Sequence, residues 1–221
     1  MKYRGVFVHL GKCAGTSVKK FFARFYPSEI AYIADNRSSA WVKTMSKRRK
    51  LSYVFHRDHL DNFPYKFTLV RNPFDRLVSF WKYEISGKLK ASTLQDNSFL
   101  GHAEFSDFIR AVHQLDFNDY LKHLGATHIK PFTHETSILF KDGDLSQPTM
   151  DFVGRMENLP IDIYKVLEKL RLDYKKFPVH KFNQTQRAHY STYYDSHTIS
   201  LVEEKYKKDL MYFNYKFEEQ S

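Results

Sequence analysis

Gly5-Val6-Phe7-Val8-His9-Leu10-Gly11-Lys12-Cys13-Ala14-Gly15-Thr16-Ser17 sets a short β-branched and aromatic run directly against a glycine-containing turn. Apolar residues then recur at Phe21, Phe22 and Phe25 with helical spacing. The stretch reads as strand, tight loop, helix. A loop of this kind aims backbone N–H groups and the positive end of a helix dipole at one point, an arrangement that receives an anion. Lys12 adds a full charge, and Thr16 and Ser17 add hydroxyl donors. The plain alternative is an ordinary strand-to-helix turn capped by Ser17.

The same grammar returns at Tyr65-Lys66-Phe67-Thr68-Leu69-Val70, a strand-like run continued by Arg71-Asn72-Pro73. Phe74, Leu77, Val78 and Trp81 then mark a helix, with Pro73 suited to its first turn. Two strand-to-helix junctions predict an α/β fold with a parallel sheet. Between them, Ser38 to Lys50 reads as a basic helix and Leu51 to Phe55 as a buried strand. Ser86 to Glu104 reads as a long polar loop of the kind that often serves as a binding lid. Short strands are expected at Ser137 to Phe140 and Asp151 to Gly154, a helix at Ile161 to Leu170 and a terminal helix at Ser196 to Tyr212.

Composition narrows the classes. Of 221 residues, 42% are hydrophobic and 17% aromatic, enough to bury a sizeable core and to exclude a solvating disordered chain. The length and the absence of a Pro/Gly/Ser-rich linker predict one domain over residues 1–221. A single cysteine, Cys13, excludes an internal disulfide framework and a multi-cysteine zinc site. No window approaches the ~18 apolar residues of a membrane span. The net charge of +10 points to an anionic partner. No helix-turn-helix, RNA-binding or zinc-finger motif is present, so nucleic acid is not the expected partner.

Loop order separates the phosphate-binding possibilities. In G-x-x-x-x-G-K-[ST] the lysine comes after the last glycine, whereas here Lys12 precedes Gly15. A cysteine phosphatase wants His directly before its Cys and Arg after five intervening residues; Lys12 and Lys19 occupy those places. Val8-His9-Leu10-Gly11-Lys12-Cys13-Ala14-Gly15-Thr16-Ser17 instead resembles the H-x-P-K-[TC]-[AG]-G-[TS]-[ST] loop of sulfotransferases. Thr68 to Ser79, with Arg71-Asn72-Pro73, Arg76 and Ser79, resembles their R-[DN]-P-x-x-R-x-x-S element. Asp151-Phe152-Val153-Gly154-Arg155-Met156-Glu157-Asn158-Leu159 resembles a segment of the carbohydrate sulfotransferase branch, the Golgi type that acts on heparan- and chondroitin-like chains. His128-Ile129-Lys130-Pro131 matches that branch more weakly, and Tyr206 to Tyr215 resembles its closing helix. Gly11 and Cys13 stand where Pro and Thr are commoner.

The resemblance implies a three-layer, P-loop-like sulfotransferase domain with a central parallel sheet flanked by helices. It implies 3′-phosphoadenosine 5′-phosphosulfate as donor, no metal, and a hydroxyl-bearing acceptor, expected to be a carbohydrate. Lys12, Cys13, Ala14, Gly15, Thr16 and Ser17 would bind the 5′-phosphosulfate, with Lys12 also serving the transfer itself. Arg71 and Ser79 would hold the 3′-phosphate. Arg187, which lies shortly after Asn183 and Gln184 and ahead of the last helix, is expected to add a phosphate contact. Arg76 is expected to pair with Asp75 or Glu84, and Glu157 to hold the fold. A catalytic base is needed for a hydroxyl acceptor, and His suits it because its ordinary pKa of about 6.5 leaves it largely neutral at pH 7. His56 is best placed, with His59 as rival. Trp41 to Lys43 and the Lys47 to Lys50 cluster could receive an anionic acceptor.

A P-loop kinase or nucleotidase and a non-enzymatic module binding acidic glycan or nucleic acid are the competing classes. The chain begins almost at its first motif. It therefore resembles either a soluble microbial relative, which would be cytoplasmic, or a catalytic domain trimmed of its anchor, which would lie in the Golgi lumen.

Overall fold

A computed structural model describes residues 3–34, 60, 63–86, 102–114, 139, 146, 148–173 and 187–220. They belong to two compact units interleaved along the chain. The first is formed by Met1–Arg71 with Ile138–Thr185, the second by Asn72–Ser137 with Gln186–Ser221. Among the described residues the strands are β1 (Gly5–His9), β2 (Ile30–Ala34), β3 (Lys66–Val70) and β4 (Phe152–Arg155). The longer helices are α1 (Gly15–Phe25), α2 (Pro73–Ile85), α3 (Phe105–Gln114), α4 (Leu159–Lys169), α5 (Ser196–Lys205) and α6 (Lys207–Phe213).

The first unit carries all four strands in a parallel sheet of order β2-β1-β3-β4. Register aligns Tyr32 with Phe7, Phe7 with Phe67 and Phe67 with Phe152, so one face of the sheet presents an aromatic row crossing all four strands. Helix α1 lies on that row. Its residues Gly15, Lys19 and Phe22 recur at i, i+4 and i+7, which puts them on one stripe. Phe22 meets Phe67 edge-on with centroids 5.5 Å apart, and Lys19 Nζ lies 4.5 Å from the centre of the Tyr32 ring. Burying each such Phe is worth about 1.5–3 kcal/mol. On the other side of the pleat, Thr68 is fully buried and its hydroxyl donates to Val8 O at 2.6 Å, tying β3 to β1.

Among the described residues, β4 is the far edge of this sheet, and a 3-10 turn over Met156–Asn158 leads from it into α4. Asp151 Oδ2 accepts from Lys66 N at 2.6 Å and Asp151 N donates to Lys66 O at 2.8 Å, which pins β4 beside β3. Gly154 is required by close approach, since a Cβ there would lie 2.8 Å from Leu69 Cδ2 and 3.0 Å from Asp162 Cβ. Asp162 belongs to α4, and its carboxylate accepts from Arg155 N at 2.7 Å. Arg4 Nη1 donates to Leu170 O and Arg171 O at the far end of that helix, where terminal carbonyls need partners.

The second unit is helical among the described residues and holds α2, α3, α5 and α6. Asn72 caps α2, its Oδ1 accepting from Phe74 N at 3.2 Å, while Pro73 takes the first helical position. Phe74, Leu77, Val78, Phe80 and Trp81 from α2 pack with Phe105, Phe108, Ile109 and Val112 from α3, and with Tyr190, Val202 and Tyr206. Asp195 opens α5 with a capping box: its carboxylate accepts from Thr198 N at 2.7 Å and Thr198 Oγ1 accepts from Asp195 N at 3.0 Å.

The sheet is parallel and flanked by helices, as the two junctions predict. Three elements differ from the sequence reading. The strand β2 and helix α3 are additional. The terminal helix expected over Ser196 to Tyr212 is broken at Tyr206, whose side chain is buried in the core of the second unit. The helix expected at Ser38 to Lys50, the strand at Leu51 to Phe55 and most of the loop from Ser86 to Glu104 lie outside the described residues. So does the strand expected at Ser137 to Phe140, apart from Leu139, which is helical.

Candidate functional site

In the sheet, the chain steps from β1 to β2 on one side and returns to place β3 on the other. The connections therefore diverge between β1 and β3. In open α/β sheets a crevice forms at the carboxyl ends of two strands so arranged, and ligands bind there. The loop from Leu10 to Ala14 leaves the end of β1, and Arg71 leaves the end of β3.

The loop has an unusual backbone. Lys12 (φ 67°) and Ala14 (φ 55°) are both left-handed, while Cys13 is not among the positive-φ residues. Each left-handed non-glycine residue costs about 1–2 kcal/mol. Alternation of this sort turns successive N–H groups toward one side and forms an anion-binding concavity. Ala14 is the N-cap of α1, no side chain caps the helix, and its first turn holds no acidic residue. The reading of this junction as a turn capped by Ser17 is thereby overturned. Ser17 N and Val18 N both point back to Ala14 O, at 3.0 and 3.3 Å. The positive end of α1 thus opens at the loop without a carboxylate of its own to offset it.

Gly15 is seated against His9. A Cβ on Gly15 would overlap the imidazole, with His9 Cγ only 2.6 Å away. The glycine is needed for this close approach and not for a left-handed backbone. His9 Nδ1 in turn shares a hydrogen bond with the Tyr32 hydroxyl. Lys19, only 6% exposed, sits over the face of the same tyrosine.

Of the residues expected to bind the donor's 5′ end, Thr16 is exposed, Lys12 and Ala14 are half-buried, and Gly15 and Ser17 are buried. Cys13 is 1% exposed with its thiol directed to Gly11 O at 3.5 Å, so its side chain is a packing group and only its backbone faces the loop. Arg71 is 6% exposed and its Nη1 donates to Lys12 O at 3.0 Å. This bond brings the two expected anion elements of the first unit together.

The remaining candidates fall elsewhere. Ser79 is half-buried on α2 of the second unit. Arg187, also in the second unit, forms an ion pair with Asp75, and its Nη1 is buried without a hydrogen-bond partner among the described residues. Asp75 therefore has Arg187 as a partner, which the sequence reading did not anticipate. Arg76 is 1% exposed and among the largest fully buried side chains of the described residues, consistent with a structural role. Glu157 is exposed in a 3-10 turn. His56, His59, Asn183, Gln184 and the basic cluster Lys47 to Lys50 lie outside the described residues. Among those described, no group of three or more metal-ligating side chains occurs, and no helix is long and apolar enough to cross a membrane.

Sequence reasoning missed His9, Tyr32 and Lys19 as supports of the loop. The signal for His9 was its place in the motif; for Tyr32 there was none, because β2 itself was not anticipated.

A parallel sheet whose connections diverge between β1 and β3, with a twice left-handed loop opening into an uncapped helix at that point, defines an α/β protein of the P-loop-like class. Within that class the sequence matches the model of the Sulfotransferase family over residues 2–216, and the chain belongs to that family. Its chemistry is sulfuryl transfer. No curated protein sequence matches the chain.

Proposed function

We propose that the chain acts as a single sulfotransferase domain moving a sulfuryl group from 3′-phosphoadenosine 5′-phosphosulfate to a hydroxyl, with a carbohydrate as acceptor. The observation that carries the donor assignment is the Arg71 to Lys12 bond, which holds a fixed guanidinium beside the loop that opens into α1. A nucleotide with phosphate at both its 3′ and 5′ positions is matched by two adjoining cationic elements. A single anion would need only one of them.

In the reaction, the acceptor oxygen forms a bond to sulfur as the bond from sulfur to the 5′-phosphate oxygen breaks. The acceptor's proton passes to a base, for which His56 is the first candidate and His59 the second. Charge builds on the departing 5′-phosphate, and Lys12 with the N–H groups from Ala14 to Thr16 stabilises it. Thr16, exposed at the start of α1, supplies a hydroxyl donor. Arg71 and Ser79 are assigned to the 3′-phosphate, Arg71 favoured for its bidentate fork. Arg187 is kept as a further phosphate contact: its buried Nη1 has no hydrogen-bond partner among the described residues and is a donor that an anion would satisfy.

The carbohydrate acceptor rests on the resemblance of residues 151–159, 128–131 and 206–215 to that branch and on the net charge of +10, which suits an acidic glycan. The whole chain is proposed as one functional domain because it passes between the two units three times, its sequence holds no Pro/Gly/Ser-rich linker, and the family match spans both.

Calorimetric titration of 3′-phosphoadenosine 5′-phosphate tests the donor site, with ATP as comparator and no added metal. Wild type should bind the 3′-phosphorylated nucleotide in preference to ATP, and Arg71→Ala should lose most of that affinity. Equal binding of ATP, or binding that appears only in a second titration with Mg²⁺ added, would favour a kinase or nucleotidase instead. No nucleotide binding would favour a non-enzymatic anion-binding module. A positive result leads to a screen of sulfate acceptance across neutral and acidic oligosaccharides.

A further inference from the structure

We propose that His9 is a positioning residue for the donor loop, held in place by Tyr32 and Lys19. The inference rests on the reading of that loop as the donor site. Its basis is a chain of contacts within the first unit that the transfer chemistry does not itself require.

His9 is the last residue of β1 and lies two residues beyond Phe7, so both point to the face that carries α1. Tyr32 is the register partner of Phe7 on β2 and points the same way. His9 and Tyr32 are therefore diagonal neighbours on adjacent strands, with ring centroids 5.7 Å apart and a hydrogen bond from one to the other at Nδ1. That bond fixes the imidazole about its own axis. The edge of the ring then forms the wall on which the Gly15 backbone rests. Gly15 is the first residue of α1, so the wall sets where the helix begins and where its opening N–H groups point.

Lys19 closes the arrangement from above. One turn along α1 from Gly15, it is buried with its ammonium 4.5 Å from the centre of the Tyr32 ring. A buried ammonium over a tyrosine face is held by the ring's quadrupole. This contact orients the ring that orients His9, and both ends of the chain of contacts lie on α1. Two left-handed residues, Lys12 and Ala14, stand in the loop so braced. Strained backbone of this kind persists only where its surroundings over-determine it. The brace supplies that determination.

The test uses Tyr32→Phe, which removes one hydroxyl and keeps the ring, and His9→Asn, which keeps a polar atom near Nδ1 but removes the wall. Amide hydrogen exchange is measured on ligand-free protein at Ser17 and Val18, whose N–H groups bond to Ala14 O, and at Phe67 and Leu69 in β3 as a reference. The brace predicts exchange at Ser17 and Val18 faster by roughly 3- to 10-fold in both variants, with the β3 amides unchanged. The affinity for 3′-phosphoadenosine 5′-phosphate should fall in step. Parallel acceleration at all four amides would mean general destabilisation and would overturn the proposal. So would unchanged exchange at Ser17 and Val18, or faster exchange there with nucleotide affinity intact. If wild type itself fails to bind the nucleotide, the donor reading falls. The exchange data then decide separately whether His9 braces the loop. Should one variant fail to fold, the other carries the comparison alone.

Discussion

Replacing Gly15 by Ala sets two effects of opposite sign against each other. Gly15 is the first residue of α1 and does not need a positive φ, so helix propensity alone predicts that Ala stabilises by up to about 1 kcal/mol. Packing predicts the reverse. The new Cβ would stand 2.6 Å from His9 Cγ and closer still to the ring edge, whereas carbon atoms pack at ~3.5–4.0 Å. The imidazole must move by about 1 Å or more to make room. It is not the free end of a flexible chain, because Tyr32 holds Nδ1 and Phe7 stacks beside it with centroids 6.2 Å apart. Overpacking of this kind costs about 1–3 kcal/mol, and loss of the hydrogen bond to Tyr32 adds about 1 kcal/mol. Packing therefore wins, with a net destabilisation of about 1–3 kcal/mol. In a chain of this length each kcal/mol lowers Tm by roughly 2–4 °C, which scanning fluorimetry resolves. Removing the ring should relieve the clash, so Gly15→Ala with His9→Ala should be more stable than the sum of the two single changes by at least about 1 kcal/mol. A Tm for Gly15→Ala at or above wild type, or strict additivity in the double variant, would refute the placement of His9 on Gly15.

Three further outcomes are expected. Arg71→Lys keeps the charge but loses the fork and the bond to Lys12 O, so calorimetry should show the affinity for 3′-phosphoadenosine 5′-phosphate down about 10- to 100-fold. Asp195→Ala removes the cap of α5 and should cost about 1 kcal/mol near neutral pH by urea unfolding. Because bonds from the Thr198 backbone and side chain hold the Asp195 carboxyl below its usual range, this contribution is present above the ordinary carboxylate pKa. It is lost as pH falls through the depressed value, so wild type and variant should converge in acid. Tyr194 is half-buried, with its hydroxyl donating to Phe74 O at 2.9 Å; removal of that hydroxyl from water first, then Tyr206 and Asp75, raise its pKa well above the usual value. Its neutral form is favoured by folding, so the stability it contributes is complete below about pH 10 and is lost as pH rises toward the raised value. The urea midpoint of wild type should therefore fall above about pH 10 more steeply than that of Tyr194→Phe.

Where local chemistry dictated the element, the fold was legible. Val6, Phe7 and Val8, and later Phe67 to Val70, are residues that fit a pleated buried surface, and Pro73 marks a helix start by its fixed φ. The strand β2 escaped because Ile30-Ala31-Tyr32-Ile33-Ala34 is short and holds two alanines, poor strand formers; it becomes a strand by pairing with β1 along its whole length. Helix α3 is a different case. Phe105, Phe108, Ile109 and Val112 recur at i, i+3, i+4 and i+7, and all four are buried, so the signal was present just beyond the polar stretch that ends at Glu104. The break at Tyr206 has no Pro or Gly to announce it. The division into two units is equally silent in composition, since the chain changes unit between Arg71 and Asn72, inside a single motif.

For the site, sequence identified which residues carry charge and register decided which of them meet. Lys12 and Arg71 are 59 positions apart, and they become neighbours because β1 and β3 are adjacent and parallel, so both strands end at the same edge of the sheet. The same logic explains why Tyr32 was invisible: its role exists only once Phe7 is paired with it and His9 falls two residues further along the same face. It also reassigns the motif glycine. A glycine in a strand-to-helix loop invites a reading in terms of backbone freedom, yet here the left-handed positions are taken by Lys12 and Ala14, and Gly15 is glycine because an imidazole occupies the space of its Cβ. Histidine and glycine in this loop are thus one steric unit, and a change at either position is read correctly only when the other is known.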